Sequence, residues 1–252
     1  MQFHLNPDGI LLIALTLNDC RCPNFTPPCK PAISGRKFSL NMMPSSKSSS
    51  SLRLGVFAST RGTDLQAILD EKLLGKLPWL DLKLVLSDRQ NSYALTRTAE
   101  AGFPALYLSA KGKTREQYDA ECLQTCRDAG VDWIFLIGYM RIISPVLIDA
   151  YRGKIFNIHP SLLPKYPGMD LNVHEEVIRN GEKESGCTLH HVSEVPDGGE
   201  IFLQETVQLS AGESPESLKE KIQKAEQQTL LKALHLIALQ EEIITEYKPS
   251  KP

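Results

Sequence analysis

Leu52-Arg-Leu-Gly-Val-Phe-Ala-Ser-Thr-Arg-Gly-Thr-Asp64 is the stretch on which the fold turns. Leu52 to Ala58 is an apolar run of strand length, and Ser59 to Asp64 is a polar turn around Gly62 that opens a helical stretch from Thr63 to Glu71. The same alternation continues downstream. Leu82 to Leu86 reads as a strand and Ser92 to Ala101 as a helix, and Gly102-Phe-Pro104 turns into a short strand from Ala105 to Leu108. Thr114 to Ala129 repeats apolar residues at helical spacing and Gly130 closes it. Trp133 to Ile137 is a strongly apolar strand, Ser144-Pro145 opens another helix with proline at its first position, and Lys154 to Ile158 is the next strand. Apolar runs joined by helical crossovers predict an α/β fold, a mainly parallel twisted sheet with helices on both faces. Chain chirality makes the crossovers right-handed. Towards the C-terminal end, Cys187 to Ser193 and Ile201 to Leu209 read as an antiparallel hairpin joined through Pro196-Asp-Gly-Gly199. A long amphipathic helix from Pro215 to about Glu242 follows.

The 252 residues suffice for one large domain with a real core. Apolar (42%) and charged (23%) fractions are those of an ordinary globular chain, and a net charge of -2 supplies no global positive field to recruit nucleic acid. No apolar stretch approaches the roughly 20 residues that span a bilayer. We therefore expect neither nucleic acid nor membrane as a partner. Residues 1–51 differ in composition: an apolar run from Ile10 to Leu17, then Pro23, Pro27, Pro28 and Pro31, then the serine tract Ser45 to Ser51. They read as a disordered or targeting head, with few acids in the manner of an organelle transit peptide, or as leader to a later start at Met42 or Met43. Residues 52–245 form the domain and 246–252 a tail. Cys20, Cys22 and Cys29 lack a second pair at zinc-ligand spacing, so no metal is expected, and Cys122 and Cys126 sit four apart as helix core positions. The body reads as a reduced intracellular protein, cytoplasmic unless the head directs it to an organelle.

In an open parallel sheet, ligands collect at the carboxyl ends of the strands, and three polar clusters fall there. The turn at Gly62, Thr63 and Asp64 offers the first N–H groups of a helix to an anion such as phosphate; alternatively it is a plain βα turn capped by Thr63 or Asp64. In Asn157-Ile-His159, alternation puts the amide and the imidazole on one face of a strand end, and Pro160, Pro164 and Pro167 stiffen the loop that follows. This pairing suits acid–base and oxyanion work. Asp197 with Gly198 and Gly199 is a carboxylate on a turn able to approach closely, or else an ordinary hairpin turn.

Together these clusters resemble the folate-dependent formyltransferase family. The resemblance rests on Asn157-Ile-His-Pro-Ser-Leu-Leu-Pro-Lys-Tyr-Pro-Gly168. Gly62-Thr-Asp-Leu-Gln-Ala67, Gly138-Tyr-Met-Arg-Ile-Ile-Ser-Pro145, Thr188-Leu-His190 and Asp197-Gly-Gly199 agree with it in order. It covers Leu52 to about Leu239 and implies transfer of a formyl group from 10-formyltetrahydrofolate, the cosubstrate, to a small-molecule amine, glycinamide ribonucleotide, in purine synthesis. Another amine, such as that of an amino-sugar nucleotide, or a non-catalytic folate- or nucleotide-binding role, is the alternative. By resemblance, Asn157, His159 and Asp197 surround the formyl group, with Asp197 orienting His159 and His190 in support. Gly62, Thr63 and Asp64 hold the substrate phosphate and Glu226 the ribose, although composition alone would make Glu226 an exposed helix charge. Met140, Arg141, Ile142 and Ile143 line the pterin site, largely through backbone groups, and Arg115 lies near the folate carboxylate tail. Asp64 stands where the family commonly has Asn, and a carboxylate beside phosphate is electrostatically unfavourable. Gln227 replaces a frequent His, and the loop from Gly168 to His174 is longer than the shortest in the family.

Overall fold

The computed structural model describes residues 51–168 and 172–244. The readings of the head, its cysteines and the tail fall outside these residues. The described elements alternate as the apolar runs require: β1 (Leu52–Phe57), α1 (Thr63–Leu73), β2 (Leu80–Ser87), α2 (Tyr93–Glu100), β3 (Ala105–Tyr107), α3 (Arg115–Ala129), β4 (Trp133–Leu136), α4 (Pro145–Ala150) and β5 (Ile155–His159). There follow α5 (Val173–Arg179), β6 (Glu184–His191), β7 (Ile201–Gln208) and α6 (Pro215–Gln240). One sheet holds all seven strands in the order β3-β2-β1-β4-β5-β6-β7. The first five pair in parallel, whereas β6 runs antiparallel to both β5 and β7. Strand order reverses between β1 and β4, so the carboxyl ends of these two strands open a crevice at the switch point.

Strand alternation divides the core in two. Leu54, Val56, Phe135 and Phe156 face one layer, packed by Leu65, Ile68 and Leu69 of α1 and by Ile222, Leu230 and Leu234 of α6. Phe57, Ile134, Leu136 and Ile155 face the other, packed by Tyr118, Cys122 and Cys126 of α3 and Leu147 of α4. Each fully buried large side chain contributes about 1.5–3 kcal/mol. Cys122, Cys126 and Cys187 are free thiols, and burial pushes each up to about 12.

Local chemistry sets the element ends. Thr114 accepts from the Gln117 N–H while Gln117 accepts from the Thr114 N–H, a reciprocal cap on α3, and Gly130 ends the helix at φ 71°. The structure departs from the sequence reading at two places. The stretch after Gly168 contains α5, whose Val173 and Val177, one turn apart, are buried. And β6 begins at Glu184, ahead of the expected Cys187, because Gly186 lets the strands close up: a Cβ there would sit 2.0 Å from the Glu205 carbonyl oxygen. Among the described residues no helix is long and apolar enough to cross a membrane.

Candidate active site

The last residues of β5 carry the first cluster. Ile158 turns into the core, while His159 is buried and Asn157 half-buried on the opposite face. His159 Nε2 lies 2.7 Å from the Tyr166 carbonyl oxygen. A carbonyl only accepts, so the imidazole hydrogen is on Nε2 and Nδ1 is left on the side of Asp197. The prolyl loop holds that carbonyl in place. Ser161 Oγ donates to the carbonyls of Lys165 (2.8 Å) and Tyr166 (3.2 Å), and Thr188 Oγ1 donates to the Ser161 carbonyl while accepting from the Leu163 N–H and Gln204. Thr188 and Gln204 thus brace the loop from the hairpin, a role that their sequence positions did not signal.

Asp197 reaches this strand edge from the β6–β7 connection, at φ 52°. Gly199 makes the approach possible, since a Cβ there would meet the His191 carbonyl oxygen at 1.7 Å. Asp197 Oδ2 accepts from the Gly168 N–H at 2.7 Å and lies 3.7 Å from His159 Nδ1. Its Oδ1 is 3.4 Å from both Asn157 Nδ2 and His190 Nε2. His190, with the Gly168 N–H and His159, outweighs desolvation and holds the carboxyl down at about 2, so Asp197 is ionised throughout the physiological range. His190 is itself 2% exposed and donates from Nδ1 to the His191 carbonyl at 2.9 Å, and its Nε2 lies 3.2 Å from Asn157 Nδ2 and 3.4 Å from Asp197 Oδ1. The expected trio is therefore assembled, with one correction. The Tyr166 carbonyl is what orients His159, and Asp197 stands beyond hydrogen-bond distance as a counter-charge.

A cavity of about 170 Å³ opens beside these groups, between the ends of β4 and β5 and the hairpin. Ile142, Ile143, Val192 and Val195 form apolar walls, and Asn157, His190 and Asp197 stand at the rim. Arg141 lines it too; its guanidinium lies 4.7 Å over the Tyr118 ring, and its Nε is buried without a hydrogen bond. Asp119 beneath is buried and accepts from the Ser144 N–H. Two of the expected folate residues stand apart from this cavity. The Met140 N–H donates to Ser59 Oγ at 3.0 Å, and Arg115 is exposed at the start of α3, paired with Glu116 at 3.4 Å.

The Gly62 turn lies at the carboxyl end of β1. The cap of α1 is Gly62 itself at φ 68°, with no side-chain hydrogen bond, in place of the expected Thr63 or Asp64. A Cβ at Gly62 would strike Ala94 at 2.8 Å, so α2 closes one side of the turn. On the other, α6 docks: Gln223 donates to Thr63 Oγ1 and Gln227 to the Thr63 carbonyl, both at 3.1 Å. This occupation of Thr63 explains why it does not cap. Glu226 lies between the two glutamines in sequence and is 6% exposed, against the exposed position that composition favours. Burial, then the charge of Asp64, push its carboxyl well above the ordinary range. Burial likewise pushes Asp64 up to about 6.

A parallel sheet with an antiparallel end, an Asn-x-His strand edge met by a hairpin carboxylate, and a glycine-capped helix start after β1 together define a class. The chain belongs to the formyl transferase family, whose pattern matches residues 52–234. It is 36% identical over 176 residues to phosphoribosylglycinamide formyltransferase of Escherichia coli (strain K12), a match covering 69% of this chain and 82% of that protein. Over 187 residues, 73% of its length, it is 40% identical to the trifunctional purine biosynthetic protein adenosine-3 of Drosophila melanogaster, of which it spans only 14%. The crystal structure of glycinamide ribonucleotide transformylase 1 from Symbiobacterium toebii matches with a TM-score of 0.71 at 35% identity, covering 79% of this chain and 93% of that one. The resemblance carried by Asn157 to Gly168 is borne out.

Proposed function

We propose that this chain transfers the formyl group of 10-formyltetrahydrofolate to the amine of glycinamide ribonucleotide, giving formylglycinamide ribonucleotide and tetrahydrofolate. The observation that carries this reading is the convergence of Asn157, His159 and Asp197 at one strand edge, with Asn157 and Asp197 at the rim of an apolar cavity. In such a transfer a C–N bond forms to the incoming amine and another breaks to the folate nitrogen. The amine loses a proton, the folate nitrogen gains one, and negative charge develops on the formyl oxygen. Asn157 Nδ2 donates to that oxygen; its 3.4 Å contact with Asp197 is long and readily redirected. One such donor is worth about 3 kcal/mol in the transition state. His159, its Nε2 hydrogen engaged by Tyr166, takes and returns a proton at Nδ1, and the ionised Asp197 stabilises the imidazolium.

The residues around the cavity fit the folate. Ile142, Ile143 and Val195 suit a flat ring, and backbone groups and the unpartnered Arg141 Nε suit its polar edge. Arg115 serves the outer, carboxylate end, and Met140 supports the strand end through Ser59. The acceptor's phosphate is held by the N–H groups of Gly62, Thr63 and Asp64 and its ribose by Glu226. The reaction is assigned to the cytoplasm, or to an organelle if residues 1–51 act as a transit peptide.

The test combines purified protein, 10-formyltetrahydrofolate and glycinamide ribonucleotide, following tetrahydrofolate absorbance. Turnover is expected, and His159→Ala lowers kcat by about 100-fold or more with folate affinity within about twofold. Unchanged kcat in that variant removes His159 from the chemistry. Turnover without any amine, or only with a different amine, overturns the acceptor assignment.

A further inference from the structure

The crevice between α1 and α6 carries a charge problem that the transfer chemistry does not use. Asp64 is the second residue of α1, and its Oδ1 is buried without a hydrogen bond. Glu226 of α6, 6% exposed, is a second buried acid on which the charge of Asp64 acts. Two acids that share a desolvated crevice do not both ionise readily. Lys219, about two turns N-terminal to Glu226, is an exposed cation whose field reaches Asp64 and Glu226. His174 of α5 faces the same lysine; burial first, then Lys219, push it down to about 4, so it is neutral near pH 7. Arg97 of α2, beside the turn, is engaged by the Arg61 carbonyl and Gln66, and Arg61 in the turn itself is exposed. Among the described residues, Lys219 is the cation whose charge acts on both carboxyl groups, at the place where a phosphate is to bind.

We propose that Asp64 engages the acceptor's phosphate as its protonated acid, so that acceptor binding takes up a proton there, with Lys219 as the counter-charge of the cluster. This rests on the placement of the phosphate at the start of α1 given above. Titration of the pair supports it. Burial raises both carboxyls, Asp64 to about 6, and the charge of Asp64 raises Glu226 further. A phosphate oxygen beside Asp64 disfavours the carboxylate further and offers the acceptor that a protonated carboxyl, with its one O–H, can donate to. In this form Asp64 presents a donor where an ionised carboxylate would only repel.

Proton uptake is read by titration calorimetry with glycinamide ribonucleotide between pH 6 and 8.5, in pairs of buffers with different ionisation enthalpies. Wild type, Asp64→Asn and Lys219→Ala are compared. The phosphate ester titrates near pH 6 itself in every variant, so the difference from Asp64→Asn decides. Wild type is expected to take up about one proton more than Asp64→Asn at pH 7.5, and its affinity relative to that variant falls towards a limit of about tenfold per pH unit above 6. Lys219→Ala weakens acceptor binding and, by raising Asp64's hold on its proton, moves the onset of this fall to higher pH. Folate affinity serves as the control and stays constant. If Asp64→Asn changes acceptor affinity by one constant factor across the range, the proposal is overturned and the phosphate placement stands. If neither variant alters acceptor affinity at any pH, the phosphate lies elsewhere and both fail.

Discussion

The hairpin end of the sheet and the α1–α6 crevice are both lined with buried polar groups, yet they treat charge in opposite ways. At the hairpin end Asp197 receives the Gly168 N–H and stands beside His190, Asn157 and His159, and its carboxyl is held near 2. In the crevice Asp64 Oδ1 is buried without a hydrogen bond, and burial makes both Asp64 and Glu226 hold their protons more tightly than in water. The first is preorganised: dipoles already point at a fixed charge, which is what a transition state needs. The second is under-satisfied, and an incoming ligand has to complete it.

The contrast is broken most severely at the preorganised end. Asn157→Ala removes the one donor free to turn to the formyl oxygen, and kcat is expected to fall by about 10²–10³ while acceptor KM moves little; a kcat within threefold of wild type would show that the oxygen is held elsewhere. Gly199→Ala acts on the scaffold. With 1.7 Å between the new Cβ and the His191 carbonyl oxygen, the hairpin must shift, costing about 3 kcal/mol of stability in denaturant melts. An unperturbed midpoint would mean that the turn relaxes freely. The smallest effect belongs to the crevice. Asp64 titrates at about 6 folded against 3.8 unfolded, so between these values the unfolded chain releases its proton first. Stability then falls as pH rises through that window and is level above it. Asp64→Asn should therefore melt higher than wild type at pH 7.5, by about 1–2 kcal/mol after allowing for partial exposure, and the gain should vanish at pH 4. Asp197 has the opposite sign: its contribution is present above 3.8 and is lost as pH falls towards 2.

Most of the architecture was legible because it is written locally. The apolar runs that start near Leu52, Leu82, Trp133 and Lys154 and the closing Gly130 lie where the elements form. Helix α5 was not legible: seven residues with two buried valines carry too short a period to separate from a loop. Asn157 and His159 followed from strand alternation, and their link to Asp197 came from the family resemblance. What held His159 was invisible in sequence, because the Tyr166 carbonyl is a backbone group that any residue would supply. The cap of α1 was misread for a tertiary reason: Thr63 is taken by Gln223, 160 residues away.

That long reach orders events in the making of the protein. Chains emerge N-terminal end first and segments fold as they become available. The strands, with the His159 edge, are synthesised before Gln223 and Gln227, and only once α6 has been made can Thr63 acquire its partners. A product cut short before α6 would keep the β5 segment that bears the chemistry and yet lack the wall against which a nucleotide is to rest.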